Sequence, residues 1–518
     1  MTATPRVIVI GAGVGGLAAA LMTAARGCDT LVLEAADAPG GKLSELDFYG
    51  QKIDVGPTVF TMRDVFEDLF ASAGVALGDV LKLKRAGRLA RHAWADGSRL
   101  DLYDDVEANV AAIGEFAGAN AARGYRDFAA RSARICGTLD GSFMRASRPN
   151  MVSLAARVGF VNLRELAAIT PFETLWRALG GHFEDAKLRQ LFARYATYCG
   201  SSPFAAPATL MLVAHVEREG VWYVEGGMRR LADALVSVAE RSGARFRFRT
   251  RVARVVVEGG RVRGVVTQEG ERLEADAVVF NGDVSALGAS LLGEAAQAAA
   301  APTPPAGRSL SAITFAGLAV AEGFPLIRHN VFFGGGYAQE FEAIFRRGQL
   351  PAEPTVYVCA SDREDESEDG REPQRLFCLV NAPAEGARSL GAEEIETCKR
   401  AATDLMRRSG LTLDWTAMRT TTPADFAARF PATGGALYGP ATHGWRASFL
   451  RAGSRSKLPG LYLAGGSSHP GPGVPMAALS GRQAALSLMQ DLASTRRLFP
   501  AAMPGGTSMR SATTGATD

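Results

Sequence analysis

Arg6–Glu34 reads RVIVIGAGVGGLAAALMTAARGCDTLVLE. Arg6–Ile10 is a short β-branched run and predicts a strand. Gly11, Gly13 and Gly16 follow at G-x-G-x-x-G spacing, with Ala12, Val14 and Gly15 between them. Val14–Arg26 is rich in Ala and Leu and predicts a helix, which Gly27 and Asp29 break; Thr30–Leu33 then rebuilds a strand ending on Glu34. Each part has a task in dinucleotide binding. Gly11 permits the tight turn, Gly13 lets backbone approach a pyrophosphate, and Gly16 lets helix and strand pack closely. The helix N-terminus offers unpaired N–H groups and a partial positive charge to phosphates. Glu34 can accept hydrogen bonds from both hydroxyls of an adenosine ribose, and its charge disfavours a 2′-phosphate. A bare G-x-G-x-x-G is an ordinary glycine loop; strand, helix and acid together make it a dinucleotide fingerprint. FAD and NAD both satisfy it.

At 518 residues the chain exceeds one ordinary core, so two or three subdomains are expected. Its apolar fraction is 47% before 58 glycines are counted, which is high for a soluble chain. Tight helix packing explains such a composition, and so does an enzyme with an oily substrate tunnel. The net charge of +3 argues against general nucleic-acid binding. Arg245, Arg247, Arg249 and Arg251 alternate with Phe246 and Phe248, a period of two that predicts a strand with one solvated face. The six cysteines are scattered without a C-x-x-C pair. They suit a reducing cytoplasm and buried thiols better than disulfides or a zinc site, and no metal is expected. Polar Met1–Pro5 leads directly into the first strand, with no export pattern, and no apolar run approaches 18 residues. A cytoplasmic protein, free or resting on a membrane surface, is the expectation.

Outward from Glu34, Pro39-Gly40-Gly41-Lys42 sets paired glycines beside a cation, suited to a second backbone approach to the cofactor. Asp54-Val55-Gly56-Pro57-Thr58 follows; its Gly and Pro fix a loop whose backbone can lie against a flat ring. Residues 104–222 read as mainly helical. Within them Met151–Phe183 carries apolar clusters with arginine and tryptophan, either a helical cap packing into a core or an amphipathic surface for lipid headgroups. Val224–Met228 precedes a helix over Arg229–Glu240. Strands are predicted at Arg245–Arg249, Val252–Val257 and Arg261–Thr267, with a hairpin turn at Glu258-Gly259-Gly260. Ala275–Asn281 is a buried strand, ADAVVFN. Ser311 to about Leu450 is mixed strand and helix, the place for a substrate domain; His443 and Trp445 lie there, and the histidine reads as structural. Asp362–Glu372 is an acidic, solvated loop. Gly460–Leu492 supplies the second informative stretch, GLYLAGGSSHPGPGVPMAALSGRQAALSLMQDL. A strand over Leu461–Ala464 meets a loop containing Gly465, Gly466, Gly473 and Val474, and Pro475 and Met476 open a helix. A second helix N-terminus aimed into the same site stabilises negative charge on a reduced flavin. An NAD enzyme has no need of it, so FAD is the expected cofactor. Ala501–Asp518 has little to bury and predicts a disordered tail.

The order of G-x-G-x-x-G, terminal acid, G-G-cation, D-x-G-P-T and a closing H-P-G-x-G-x-P loop resembles the carotenoid and phytoene desaturases within the amine-oxidase-like flavoproteins. The resemblance runs from Arg6 to Leu492. It departs at Lys42, where the family usually has arginine, and at Ser468, where it has threonine. Val55–Arg63, Val356–Arg363 and Leu376–Pro383 look most like the branch that desaturates 1-hydroxycarotenoids at the 3,4 bond. The resemblance implies an α/β FAD-binding Rossmann-type fold in three segments (1–103, 223–300 and 456–495). It also implies a helical membrane-associating cap (104–222), a mixed α+β substrate domain (301–455) and a tail (496–518). It further implies a hydrophobic carotenoid substrate, a membrane surface, quinone or oxygen as electron acceptor, and cofactor contact at Val252. Members of the fold that desaturate phytoene, oxidise amines, or escort prenyl lipids without redox chemistry are the alternatives. No residue stands out as a base; Asp54, His443 and His469 are available.

Overall fold

A computed structural model describes residues 4–147, 172–364, 372–384 and 390–498. The predicted tail Ala501–Asp518, most of Met151–Phe183 and most of Asp362–Glu372 lie outside these residues.

The predicted opening strand pairs on both sides. Arg6–Ile10 lies parallel to Asp29–Leu33 on one edge and to Ala277–Phe280 on the other. Arg245–Arg247 and Leu461–Leu463 complete a five-stranded parallel sheet. Its strands read as continuous apolar runs because both faces are covered. Val7, Val9 and Val32 pack against helices Val14–Ala24, Arg229–Arg241 and Val474–Leu498. Ile8, Ile10 and Leu33 pack against the antiparallel strands Val252–Glu258 and Arg261–Thr267. Two of the arginines alternating with phenylalanine are paired at the surface, Arg245 with Asp29 and Arg247 with Glu271.

The first and last helices cross in direct contact because glycines meet there. A Cβ on Gly481 would stand 2.0 Å from the carbonyl oxygen of Gly15, so the Gly481→Ala substitution is expected to force the helices apart. Overpacking of this kind costs about 1–3 kcal/mol, and urea unfolding should show that loss.

A seven-stranded sheet forms the second layer, in the order Thr412–Thr421, Ser311–Glu322, Gln374–Ala382, Val356–Ala360, His329–Phe333, Arg88–Trp94, Arg99–Tyr103. Its last two strands come from the N-terminal part of the chain. Residues 88–103, grouped with the first nucleotide segment on sequence grounds, belong to this sheet through the parallel pairing of Asn330 with Arg91. The two faces of the sheet differ in kind. Ile313, Phe332, Val356 and Val380 pack against helix Ala392–Arg408. The adjoining cross-strand row Val331, Tyr357, Leu379 and Thr314 faces an internal cavity instead.

Between 104 and 222 the described residues are mainly helical, as expected. Asp105 caps helix Val106–Leu139 through the Ala108 amide, and that helix bends at Gly118. An aromatic core of Tyr125, Phe128, Phe183 and Phe192 joins it to helix Ala186–Ala193. Among the described residues no helix is long and apolar enough to cross a membrane.

Candidate functional site

The C-terminal ends of the parallel strands open into a cavity of about 1440 Å³, where ligands of open parallel sheets collect. Gly11, Gly13, Val14, Gly15 and Glu34 line it at one end, with Gly41, Lys42, Gly56, Pro57, Thr58 and Val252 around them. Gly465, Gly466, Gly473, Val474, Pro475 and Met476 arrive from the other end of the sequence and line it too. Ala12 and Gly16 do not reach the cavity. Ala12 is buried and donates its amide to Glu34 Oε2 at 2.6 Å. Gly16 packs so closely that a Cβ would sit 2.0 Å from Gly11 O. The Glu34 carboxylate also accepts from the Ala36 amide at 2.8 Å, which ties the acid to the glycine turn. The turn leaves no room for side chains: a Cβ at Gly13 or Gly15 would stand 2.8 or 2.6 Å from the Asn281 carboxamide. Backbone N–H groups bordering an acid-tipped strand fit the phosphates and ribose of a dinucleotide.

Asn281 is the hub that sequence reading missed. It ends the ADAVVFN strand, donates to Gly11 O at 3.3 Å and lies beside Gly465, so it joins both glycine-rich loops. Arg451 was missed as well. Its buried guanidinium donates to the carbonyls of Pro440 at 2.7 Å and Gly466 at 3.2 Å, and burial pushes its pKa down to about 10. Lys42 is also desolvated, which lowers its pKa; its ammonium donates to Leu437 O and lies over the Phe430 ring. Both cations border the cavity. Nothing local in FLRAGS distinguishes Arg451 from a surface arginine.

Away from the glycine turn the cavity becomes apolar, walled by Leu139, Phe143, Leu210, Val213, Val216 and Phe449. It reaches the surface beside Phe172, 74% exposed, which stacks edge-on against Trp445. Part of the wall among the described residues is strongly polar. Thr58 Oγ1 lies 2.6 Å from Tyr357 Oη, which is 2.8 Å from His329 Nδ1. Nearby, Arg194 donates to Tyr198 Oη at 2.5 Å and to Glu217 Oε2 at 3.3 Å, and Tyr198 donates to Glu217 Oε1 at 2.8 Å.

The flavin-containing amine oxidoreductase model matches residues 14–489. The chain belongs to the flavin-containing amine oxidoreductase family. Among its relatives, hydroxyneurosporene desaturase of Rubrivivax gelatinosus is 52% identical, over 99% of this chain and 98% of that protein. Hydroxyneurosporene desaturase of Cereibacter sphaeroides is 46% identical, over 95% and 99%. A solved putrescine oxidase superposes with a TM-score of 0.57 at 15% identity, covering 94% of this chain and 99% of its own, so it shares the fold. A flavin is therefore the family's cofactor.

The residues considered as bases are all otherwise engaged. Asp54 accepts from the Met228 and Arg229 amides at 2.7 and 3.3 Å and so caps helix Arg229–Arg241. Burial raises its pKa. His443 accepts from the Ser202 amide at 3.0 Å, and burial lowers its pKa to about 4. His469 Nε2 lies 3.0 Å from the carbonyl oxygens of Phe143 and Ala146, which requires a proton on that nitrogen. None of the three lines the cavity. Among the described residues no cluster of metal ligands occurs.

Proposed function

We propose that this protein is an FAD-dependent carotenoid desaturase that forms the 3,4 double bond of a 1-hydroxycarotenoid. The observation that carries the reading is the continuity of the cavity from the glycine turn into an apolar chamber. Pockets for one small ligand run to about 300–1,000 Å³, so about 1440 Å³ accommodates a dinucleotide and part of a long apolar chain. The names and coverage of the two hydroxyneurosporene desaturases support the choice of substrate.

FAD, when bound, supplies the hydride acceptor. In this reading the Gly11–Gly16 turn and its helix N-terminus hold the pyrophosphate, Glu34 takes the adenosine ribose, and Val252 borders the adenine. Gly41 and Lys42, the Gly56-Pro57-Thr58 loop and the Gly465–Met476 segment surround the rest of the cofactor. The apolar wall orients the polyene and excludes water, which is most of what such a reaction asks of a protein. Segments 1–87, 223–300 and 456–495 form the cofactor domain of this proposal, and 301–455 with 88–103 the substrate domain. Exposed Phe172 and Leu450, 74% and 78% accessible, suit a mouth that meets a membrane surface where the substrate dissolves. Quinone in that membrane, or oxygen, is the electron acceptor.

Co-expression with enzymes that make neurosporene and its 1-hydroxy derivative tests the reading. A product with red-shifted absorbance is expected from the hydroxylated substrate. Conversion of phytoene would favour the phytoene-desaturase alternative, and flavin bleaching by amines would reject carotenoid chemistry.

A further inference from the structure

The apolar chamber raises a problem of register. A long polyene offers the same surface at many positions along its length, so apolar contact alone does not decide which carbon–carbon bond lies beside the cofactor. The hydroxylated end differs from the rest of the molecule, because it carries a donor and two acceptor lone pairs. In a 1-hydroxycarotenoid only C2 separates the hydroxyl-bearing carbon from C3, one end of the reacting bond. Whatever holds that hydroxyl must therefore lie close to the cofactor.

The polar wall described above meets that requirement. Thr58 belongs to the glycine–proline loop bordering the cofactor end of the cavity, and its hydroxyl is bonded to Tyr357. Tyr357 is part of the cross-strand row that faces the cavity, and Tyr198 lines the cavity from the helical layer. Behind the tyrosines, Arg194, Glu217 and His329 are 5%, 4% and 3% exposed. These groups converge on a void of about 10 Å³ bordered by Arg194, Tyr198, Glu217, His329 and Tyr357, about the size of one water. Arg194 Nε and His329 Nε2 have no hydrogen-bond partner among the described residues. The hydroxyl of buried Tyr337, also on the cavity wall, has none either. The wall is therefore richer in polar capacity than its internal bonds use. A wholly apolar substrate would desolvate it without compensation.

We propose that this wall is the subsite for the substrate's terminal hydroxyl, with Tyr198 and Tyr357 as its direct partners; this rests on the hydroxycarotenoid reading. Tyr198 donates to Glu217 and accepts from Arg194, which leaves a lone pair for the substrate O–H. Tyr357 is oriented by Thr58 and His329, whose imidazole stays neutral because burial and the Arg328 and Arg194 charges push its pKa down to about 3. Arg194, Glu217 and His329 act as positioning residues. The subsite sets the register of the chain and selects hydroxylated over plain carotenoids.

The test compares 1-hydroxyneurosporene with neurosporene, which has the same conjugated polyene and a C1–C2 double bond in place of the added water, on the flavin-loaded full-length enzyme. The wild type should favour the hydroxylated substrate in kcat/KM by at least about 100-fold, as sites built to bond a substrate hydroxyl do. Tyr198→Phe and Tyr357→Phe should each cut that ratio by roughly 10-fold, through a raised KM for the hydroxylated substrate. Both substitutions keep the ring volume, and an unchanged flavin spectrum reports an intact fold. A ratio unchanged in both variants, or equal losses on the two substrates, would overturn the subsite and leave the desaturase reading standing. A flavin-loaded wild type inert on both carotenoids would reject the two together.

Discussion

A Gly13→Val variant is expected to leave purification without its flavin, with affinity lowered roughly 10- to 100-fold by overpacking at the turn. Gly13 is enclosed on three sides. Gly40 pairs with it as an isolated bridge, a Cβ on Gly41 would come within 3.3 Å of its Cα, and a Cβ on Gly13 itself would reach 2.8 Å from Asn281 Nδ2. The remaining side is the cavity, where valine methyls would occupy the approach to a pyrophosphate. Asn281 would also be pushed from Gly11 and Gly465, so both halves of the cradle would be disturbed. Absorbance in the flavin region, normalised to protein, checks the outcome. Gly78→Ala is the control, because a Cβ there meets nothing within 4 Å and its backbone is not in the left-handed region.

The largest loss of stability is expected at Glu217. Its carboxylate is shared by Arg194, Tyr195 and Tyr198, and the Arg194 side chain is 7% exposed and its own 5%. Removing one partner of a buried pair strands the other charge, at a cost of about 3–5 kcal/mol. Glu217→Ala should therefore unfold at markedly lower urea than the wild type. Replacing both partners removes the stranded charge, so Arg194→Met with Glu217→Leu should recover much of the loss. If the double variant is no more stable than Glu217→Ala, then the unpaired Tyr195 and Tyr198 hydroxyls, and not an uncompensated charge, explain the cost.

Contrast between these two sites explains what was legible from sequence. The nucleotide end is written locally: the Gly11–Gly16 turn is contiguous, Glu34 follows within one strand–helix–strand unit, and Gly465–Met476 is again contiguous. Each works through backbone conformation, which glycine and proline spacing encodes directly. The polar wall is assembled from Thr58, which the D-x-G-P-T motif marks, and from Arg194, Tyr198, Glu217, His329 and Tyr357, each unremarkable among its sequence neighbours. Only sheet register sets Tyr357 between Val331 and Leu379, and only the fold then turns that row toward Arg194. The pairing of residues 88–103 with the seven-stranded sheet was illegible for the same reason. Their partner strand, His329–Phe333, is distant in sequence, and parallel pairing leaves no local turn signal. Asn281 sits in a legible strand, yet its role depends on two glycine loops meeting from opposite ends of the chain.

That meeting dictates an order of assembly. Gly15 and Asn281 bound one side of the proposed cofactor cradle, while Gly465 and the helix beginning at Val474 form the other. During synthesis, which adds roughly 5–20 residues per second, an emerging chain holds half a cradle until residue 474 has been added. The first helix meanwhile keeps exposed the apolar face that Val474–Leu498 will cover. Under the proposed placement of the cofactor, both walls of its site exist only after residue 474 has been added. A chain truncated before residue 474 retains the whole fingerprint and still lacks the second wall of the site.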